Sequence, residues 1–179
     1  MELPNTLKDW VEVVSTGGGV IGGLALFLAK NLTARQELRR KRAASGRKLI
    51  TDLCDDEDVQ NAFTLLDMED GETVNLAVPK EQPLPLTWEG ALHLLTDDRS
   101  DLRARNVVRD AFDALFYHFS LFHHCIDSGL VSPNDVTYPA RYYIAIMKTY
   151  DWPVFERYLS RFGFDEAAAF IRECPRSGS

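Results

Sequence analysis

Three groupings in this sequence combine residue types and spacings that could do chemistry. The first is Gly17, Gly19 and Gly22, a GxGxxG pattern set between Val11-Glu12-Val13-Val14 and the helix-like VIGGLALFLAK. On a strand–helix turn, such glycines let the backbone approach a pyrophosphate at a helix N-terminus. That chemistry also needs a second strand ending in Asp or Glu about twenty residues further on. The stretch there, TARQELRRKRAASGRKL, has no apolar alternation and no acidic end. A dinucleotide-binding loop at residues 17–22 is therefore the remote reading. The second grouping is His118, His123, His124 and Cys125. His118 and His123 do not share a helix face as i,i+4 ligands would, and the adjacent His123 and His124 diverge by about 100°. No second motif completes a zinc site. His118 reads as a core histidine, and the other two as surface or interface residues. The third grouping, Asp55-Asp56-Glu57-Asp58, could hold a cation, but acids at a helix start also cap it and complement its dipole. The capping reading is the stronger. The pattern thus assigns no catalytic residue, no metal ligand and no cofactor, and leans away from an enzyme.

Composition narrows the function further. A chain of 179 residues fits one domain plus an appendage. Residues 1–48 hold nine basic and four acidic residues, whereas 49–179 hold eleven basic and 23 acidic, a net of −12. So acidic a domain is a poor nucleic-acid binder, since phosphate neutralisation supplies most of that affinity. Cys54, Cys125 and Cys174 are widely spaced, form no even disulfide framework, and fit a reducing compartment.

The segment that organises the rest is Val13 to Ala29, which carries no charge and is bracketed by Glu12 and Lys30. As a helix it would reach about 25 Å, the short end of a bilayer span. Its acidic lead does not suit the basic n-region of a signal peptide, so an uncleaved anchor is expected. The basic residues that follow place the C-terminal bulk in the cytoplasm of a single-pass inner-membrane protein by the positive-inside rule. Arg35, Arg39, Arg40, Lys41 and Arg42 would meet anionic lipid headgroups. Ser15, Gly18, Gly19, Gly22 and Gly23 recur at i,i+4, a smooth face on which another membrane helix could pack. A buried helix of a soluble protein competes with this reading, because the glycines weaken helix propensity.

The organisation expected is all-α: a lead over 1–12, a transmembrane helix over 13–30, a basic juxtamembrane helix over 31–54 with a bend at Gly46, a helical cytoplasmic domain over 55–174, and a tail over 175–179. Val59, Ala62, Phe63 and Leu66 fall at i, i+3, i+4, i+7 after the acidic run, giving an amphipathic helix. Residues 69–86 read as a proline-broken loop with a brief strand at 73–78. Thr87 caps a short helix. The central helix spans about 100–128, with one apolar row through Val108, Phe112, Leu115, Phe119, Phe122 and Ile126. An adjacent row runs through His118, and a third, containing Phe116 and His123, is mostly polar. Gly129 ends it. Thr137 caps the next helix, Asp151 another that stops at Gly163, and Asp165 begins the last.

The runs RDAFDALFYHFSLFHHCIDSGLV, ARYYIAIM and YDWPVFERYLSRFGFDEAAAFI resemble a group of uncharacterised small bacterial proteins. The resemblance implies one N-terminal span, a basic juxtamembrane helix and a helical cytoplasmic domain, and supplies no site residues. The leading expectation is a membrane-anchored interaction module: an accessory subunit, scaffold or sensor with a protein partner or a second copy of itself. Phe116, Tyr117, Tyr142, Tyr143, Tyr150 and Trp152 are its expected partner surface, since aromatics concentrate at interface hot spots. The alternative is a small membrane-associated effector or enzyme using the 69–86 loop and the His118–Cys125 region.

Overall fold

The computed structural model describes residues 7–69, 71–78, 82–97 and 101–174, with side chains described from residue 30 onward except at position 139. The described residues are mostly helical: α1 (Leu7–Asp55), α2 (Glu57–Leu66), α3 (Trp88–Thr96), α4 (Leu102–Asp127), α5 (Pro133–Tyr150), α6 (Trp152–Phe162) and α7 (Asp165–Glu173). Two short strands, β1 (Val74–Leu76) and β2 (Leu84–Leu86), pair antiparallel with Asn75 opposite Pro85. The chain divides into two units, Met1–Lys41 and Arg42–Ser179.

The first unit is helical backbone from Leu7 onward. Gly17, Gly19 and Gly22 lie inside that helix, and residues 11–14 before them are helical too, so the strand-to-helix turn that a nucleotide loop needs is not formed there. The side chains of 13–29 lie outside the described residues, as do those of Ser15, Gly18, Gly19, Gly22 and Gly23. Among the described residues no helix is long and apolar enough to cross a membrane. Arg35, Arg39, Arg40 and Lys41 are exposed.

The second unit is built on α4, against which α2, α3 and α7 pack. Both expected apolar rows of α4 turn inward, with Val108, Phe112, Leu115, Phe119 and Phe122 fully buried. The third row is buried in part as well. Phe116 is 0% exposed and packs against Phe155 and Tyr158 of α6 and against Phe164, which precedes α7. Phe116 is therefore core and no partner surface, because α6 and α7 cover the side of α4 that looked polar. On that side Asp113 accepts a 2.7 Å hydrogen bond from the Tyr158 hydroxyl, which lets a carboxyl sit beside the aromatic core.

Local chemistry sets the helix ends. Asp56 caps α2, one carboxylate oxygen accepting from the Asp58 and Val59 N–H groups. Thr87 caps α3 by accepting from Gly90 N–H. Gly129 and Gly163 follow α4 and α6 at φ +69 and +75, the left-handed conformation that glycine adopts without strain. Three expectations are corrected. Helix α5 starts at Pro133 and not at Thr137: Ser132 is its N-cap, and the Asp135 carboxylate accepts from the Ser132 N–H at 3.0 Å. Gly46 does not end or divide α1. It is buried, and a Cβ there would stand 2.6 Å from the Asp135 Cβ, so glycine permits close approach of α1 to the start of α5. Arg42, expected to face lipid, is half-buried, its guanidinium 3.7 Å from where a Gly129 Cβ would stand.

The strand expected near 73–78 is real, and its partner is the proline-bearing segment 84–86. Asn61 of α2, 6% exposed, holds this hairpin in place. Its amide donates to the Ala77 carbonyl at 2.9 Å and accepts from the Ala77 N–H at 3.0 Å, as a neighbouring strand would.

Candidate functional site

The aromatic residues named from the sequence separate into three environments. Phe116 is in the core. Tyr117 is 62% exposed on α4, edge-on to His118, and Trp152 is half-buried against the core. Tyr142, Tyr143 and Tyr150 stand together on α5, where three and four residues per turn bring 142, 146 and 150 to one face. Tyr142 and Tyr150 are 58% and 68% exposed.

The α5 face meets the end of α2 and the start of α3 around a cavity of about 500 Å³. Tyr142, Ile146 and Tyr150 line one side, and Trp88, Asp67 and Glu69 are among the residues lining the rest. Specific contacts orient Tyr143, Tyr142 and Trp88. Tyr143 stacks on Phe63 at 3.9 Å between ring centroids and donates its hydroxyl hydrogen to Asp67 at 3.1 Å, fixing α5 against α2. Tyr142 lies edge-on to Tyr143 at 5.0 Å. The Trp88 indole N–H donates to Asp151 at 3.1 Å, which ties the start of α3 to the start of α6. Asp151 was expected as the cap of α6; it occupies the N-cap position, but its side chain is engaged by Trp88 instead.

The electrostatics follow from Asp67. Burial, then the Asp67 charge, pushes the Tyr143 phenol up to about 12, and the same charge raises that of Tyr142. Both phenols therefore stay neutral donors at physiological pH. Trp88 and two tyrosine rings beside the carboxylates of Asp67 and Glu69 form a lining of the kind that attracts a cation. An ammonium or guanidinium is attracted by the face of each ring and by the acids together. The same composition disfavours a phosphate or carboxylate ligand.

The histidines do not form a common site. His118, 7% exposed, is the core histidine expected, and its Nε2 lies 3.3 Å from the Asp56 oxygen that does not cap α2. Its Nδ1 is buried without a hydrogen-bond partner, so the ring makes its polar contact through Nε2. The Asp56 carboxylate thus bridges α2 and α4. His123 turns the other way, towards α7, and His124 is exposed. Cys125 and Cys174 are buried free thiols, and Cys54 is exposed. No nucleophile–base pair arises from these side chains.

Sequence reasoning missed Trp88, Asp67 and Glu69 as partners of the α5 tyrosines. Glu69 opens the loop at 69–86 and Asp67 and Trp88 flank it, and the suspected role of that loop was the only available signal. Comparison of the chain with protein-family models, with curated proteins and with solved structures found no match. The chemistry of the site therefore rests on its geometry.

Proposed function

We propose that this protein is a membrane-anchored helical interaction module. Its α2–α3–α5 groove captures a Lys- or Arg-bearing segment of a protein partner. The observation that carries the reading is the convergence of Trp88, Tyr142 and Tyr150 with Asp67 and Glu69 around about 500 Å³. Exposed aromatics scattered singly need no explanation, whereas two gathered with the half-buried Trp88 and two carboxylates match a cationic side chain. The acidic surplus of residues 49–179 favours encounter with such a partner. Supporting the anchor are the uncharged run 13–29 and the basic residues 35–42 after it, which favour inner-membrane insertion with the C-terminal unit in the cytoplasm.

The test is calorimetric titration of the full chain, kept in mild detergent, with a lysine-rich peptide and with an acidic peptide of equal length. The lysine peptide should bind, and Tyr150→Ala and Glu69→Gln should each weaken it by about 1–2 kcal/mol, the value of a partly desolvated cation–π contact or of a charged hydrogen bond. Equal binding of both peptides, or unchanged affinity in both variants, would refute the groove as a cation site.

A further inference from the structure

We propose a second site, independent of the groove: a divalent transition-metal site between α4 and α7, with His123, Asp127 and Glu166 as ligands and Glu173 behind the histidine. His123 and Asp127 are one turn apart on α4, with His123 Nδ1 3.6 Å from the Asp127 carboxylate. Helix α7 supplies Glu166, whose carboxylate is in direct contact with the same Nδ1. One ligand atom from each of the three lies within 4.8 Å of the other two. Donors bound to zinc at about 2.0–2.2 Å sit somewhat closer than that, a contraction within reach of exposed carboxylate rotamers. The fourth group completes the pattern. Glu173 lies 3.8 Å from Nε2, on the far side of the ring from the other two acids. A metal-ligating histidine usually gives its remaining N–H to such a carboxylate, which fixes the tautomer and the ring plane.

Charge provides a second argument. Among the described residues, His123 is the one basic group paired with Asp127, Glu166 and Glu173. The three carboxylates sum to −3 around one imidazole, and a divalent ion brings the group to −1. The histidine is also the fixed member, its side chain only 12% exposed against 58% or more for the three acids. Rigid packing sets its place, because Phe119 and Phe122 of α4 hold Phe170 of α7 at 5.4 and 5.7 Å between centroids. One nitrogen and two carboxylate ligands, with room for water, suit zinc or another borderline first-row ion more than magnesium or calcium. Such an ion would staple α7 to the central helix.

The experiment uses the full chain freed of metal by chelator dialysis, titrated with Zn²⁺ and with Mg²⁺, and followed by calorimetry and by thermal unfolding. Zn²⁺ should bind one to one and raise Tm by about 5–10 °C at a hundredfold excess over Kd, while Mg²⁺ should not compete. His123→Ala should abolish binding, as should Glu166→Gln, an exposed change that leaves the fold intact. Glu173→Gln should weaken it about tenfold, as loss of an outer partner does. His93→Ala, which removes the exposed His93–Asp97 pair, should change nothing. Full-strength Zn²⁺ binding in both His123→Ala and Glu166→Gln, equal binding of Mg²⁺, or no Zn²⁺ binding by the wild type would each overturn the site.

Discussion

Phe116→Ala separates the core from the partner surface more sharply than any other single change. The ring is fully buried, with Phe112, Phe155, Tyr158 and Phe164 at 5.8–6.3 Å between centroids. Removing a buried phenylalanine costs about 3–5 kcal/mol, the exact figure depending on how far the surroundings collapse. Here the neighbours are stiff rings, and Tyr158 is tied to Asp113, so little collapse is open to them. A loss of about 4 kcal/mol is expected, a large share of the 5–15 kcal/mol that usually holds a domain together. With a urea slope of about 2 kcal/mol/M, the unfolding midpoint of the full chain should fall by about 2 M. Tyr142→Ala, at an exposed position, should stay within about 0.5 kcal/mol of wild type. Far-ultraviolet circular dichroism during urea unfolding reads both. A Phe116→Ala protein within 1 kcal/mol of wild type would refute the packing described for the third row of α4.

Other changes test other joints. Asp56→Ala should cost about 2 kcal/mol, about 1 for the lost cap and about 1 for the lost His118 hydrogen bond; Asp56→Ser should recover about half, and full recovery by serine would show that His118 contributes nothing. Gly46→Ala gains about 1 kcal/mol of helix propensity but forces a 2.6 Å contact, an overpacking cost of about 1–3 kcal/mol, so a lowered Tm is expected; a raised Tm would mean that α1 does not approach α5 there. Burial holds the Asp113 carboxyl above the ordinary aspartate range, against the pull of the Tyr158 hydrogen bond. A carboxyl raised in this way binds its proton more tightly folded than unfolded, so its contribution to stability is lost as pH rises through that range. Asp113→Asn should therefore raise Tm at pH 7, the gain shrinking as pH falls through about 4; a lower Tm at pH 7 would contradict it.

How legible the fold was depended on the range of the forces involved. Helix ends governed by adjacent residues, such as Asp56, Thr87, Gly129 and Gly163, could be read directly, because capping and left-handed backbone are local chemistry. The apolar rows of α4 were readable for the same reason. Phe116 was misplaced because a helix covered on three sides loses the polar face that periodicity looks for. Ser132 was overlooked because Thr137 offered a second plausible start within the same turn-rich stretch. Gly46 looked like a break because only the approach of Asp135, far along the chain, reveals why no side chain fits. Longer-range pairings left less trace. Asn61 and Ala77 meet across 16 residues, and His123 and Glu166 across 43, with no pattern at either end to announce them. The α5 tyrosines were recognisable as a surplus of aromatics; their acidic partners on the far side of the groove were not.

The most direct test of the groove as a partner site is photocrosslinking in living cells, with Tyr142→p-benzoylphenylalanine in the full chain and the same replacement at Tyr117 as control. Crosslinked products would be mapped to the residue by mass spectrometry. Position 142 should crosslink one protein through a Lys- or Arg-bearing segment, whether of another chain or of a second copy of this one, and exposed Tyr117 should not. Crosslinks from 142 to acidic segments, or equal yields of the same product from 142 and 117, would contradict a cation-binding groove.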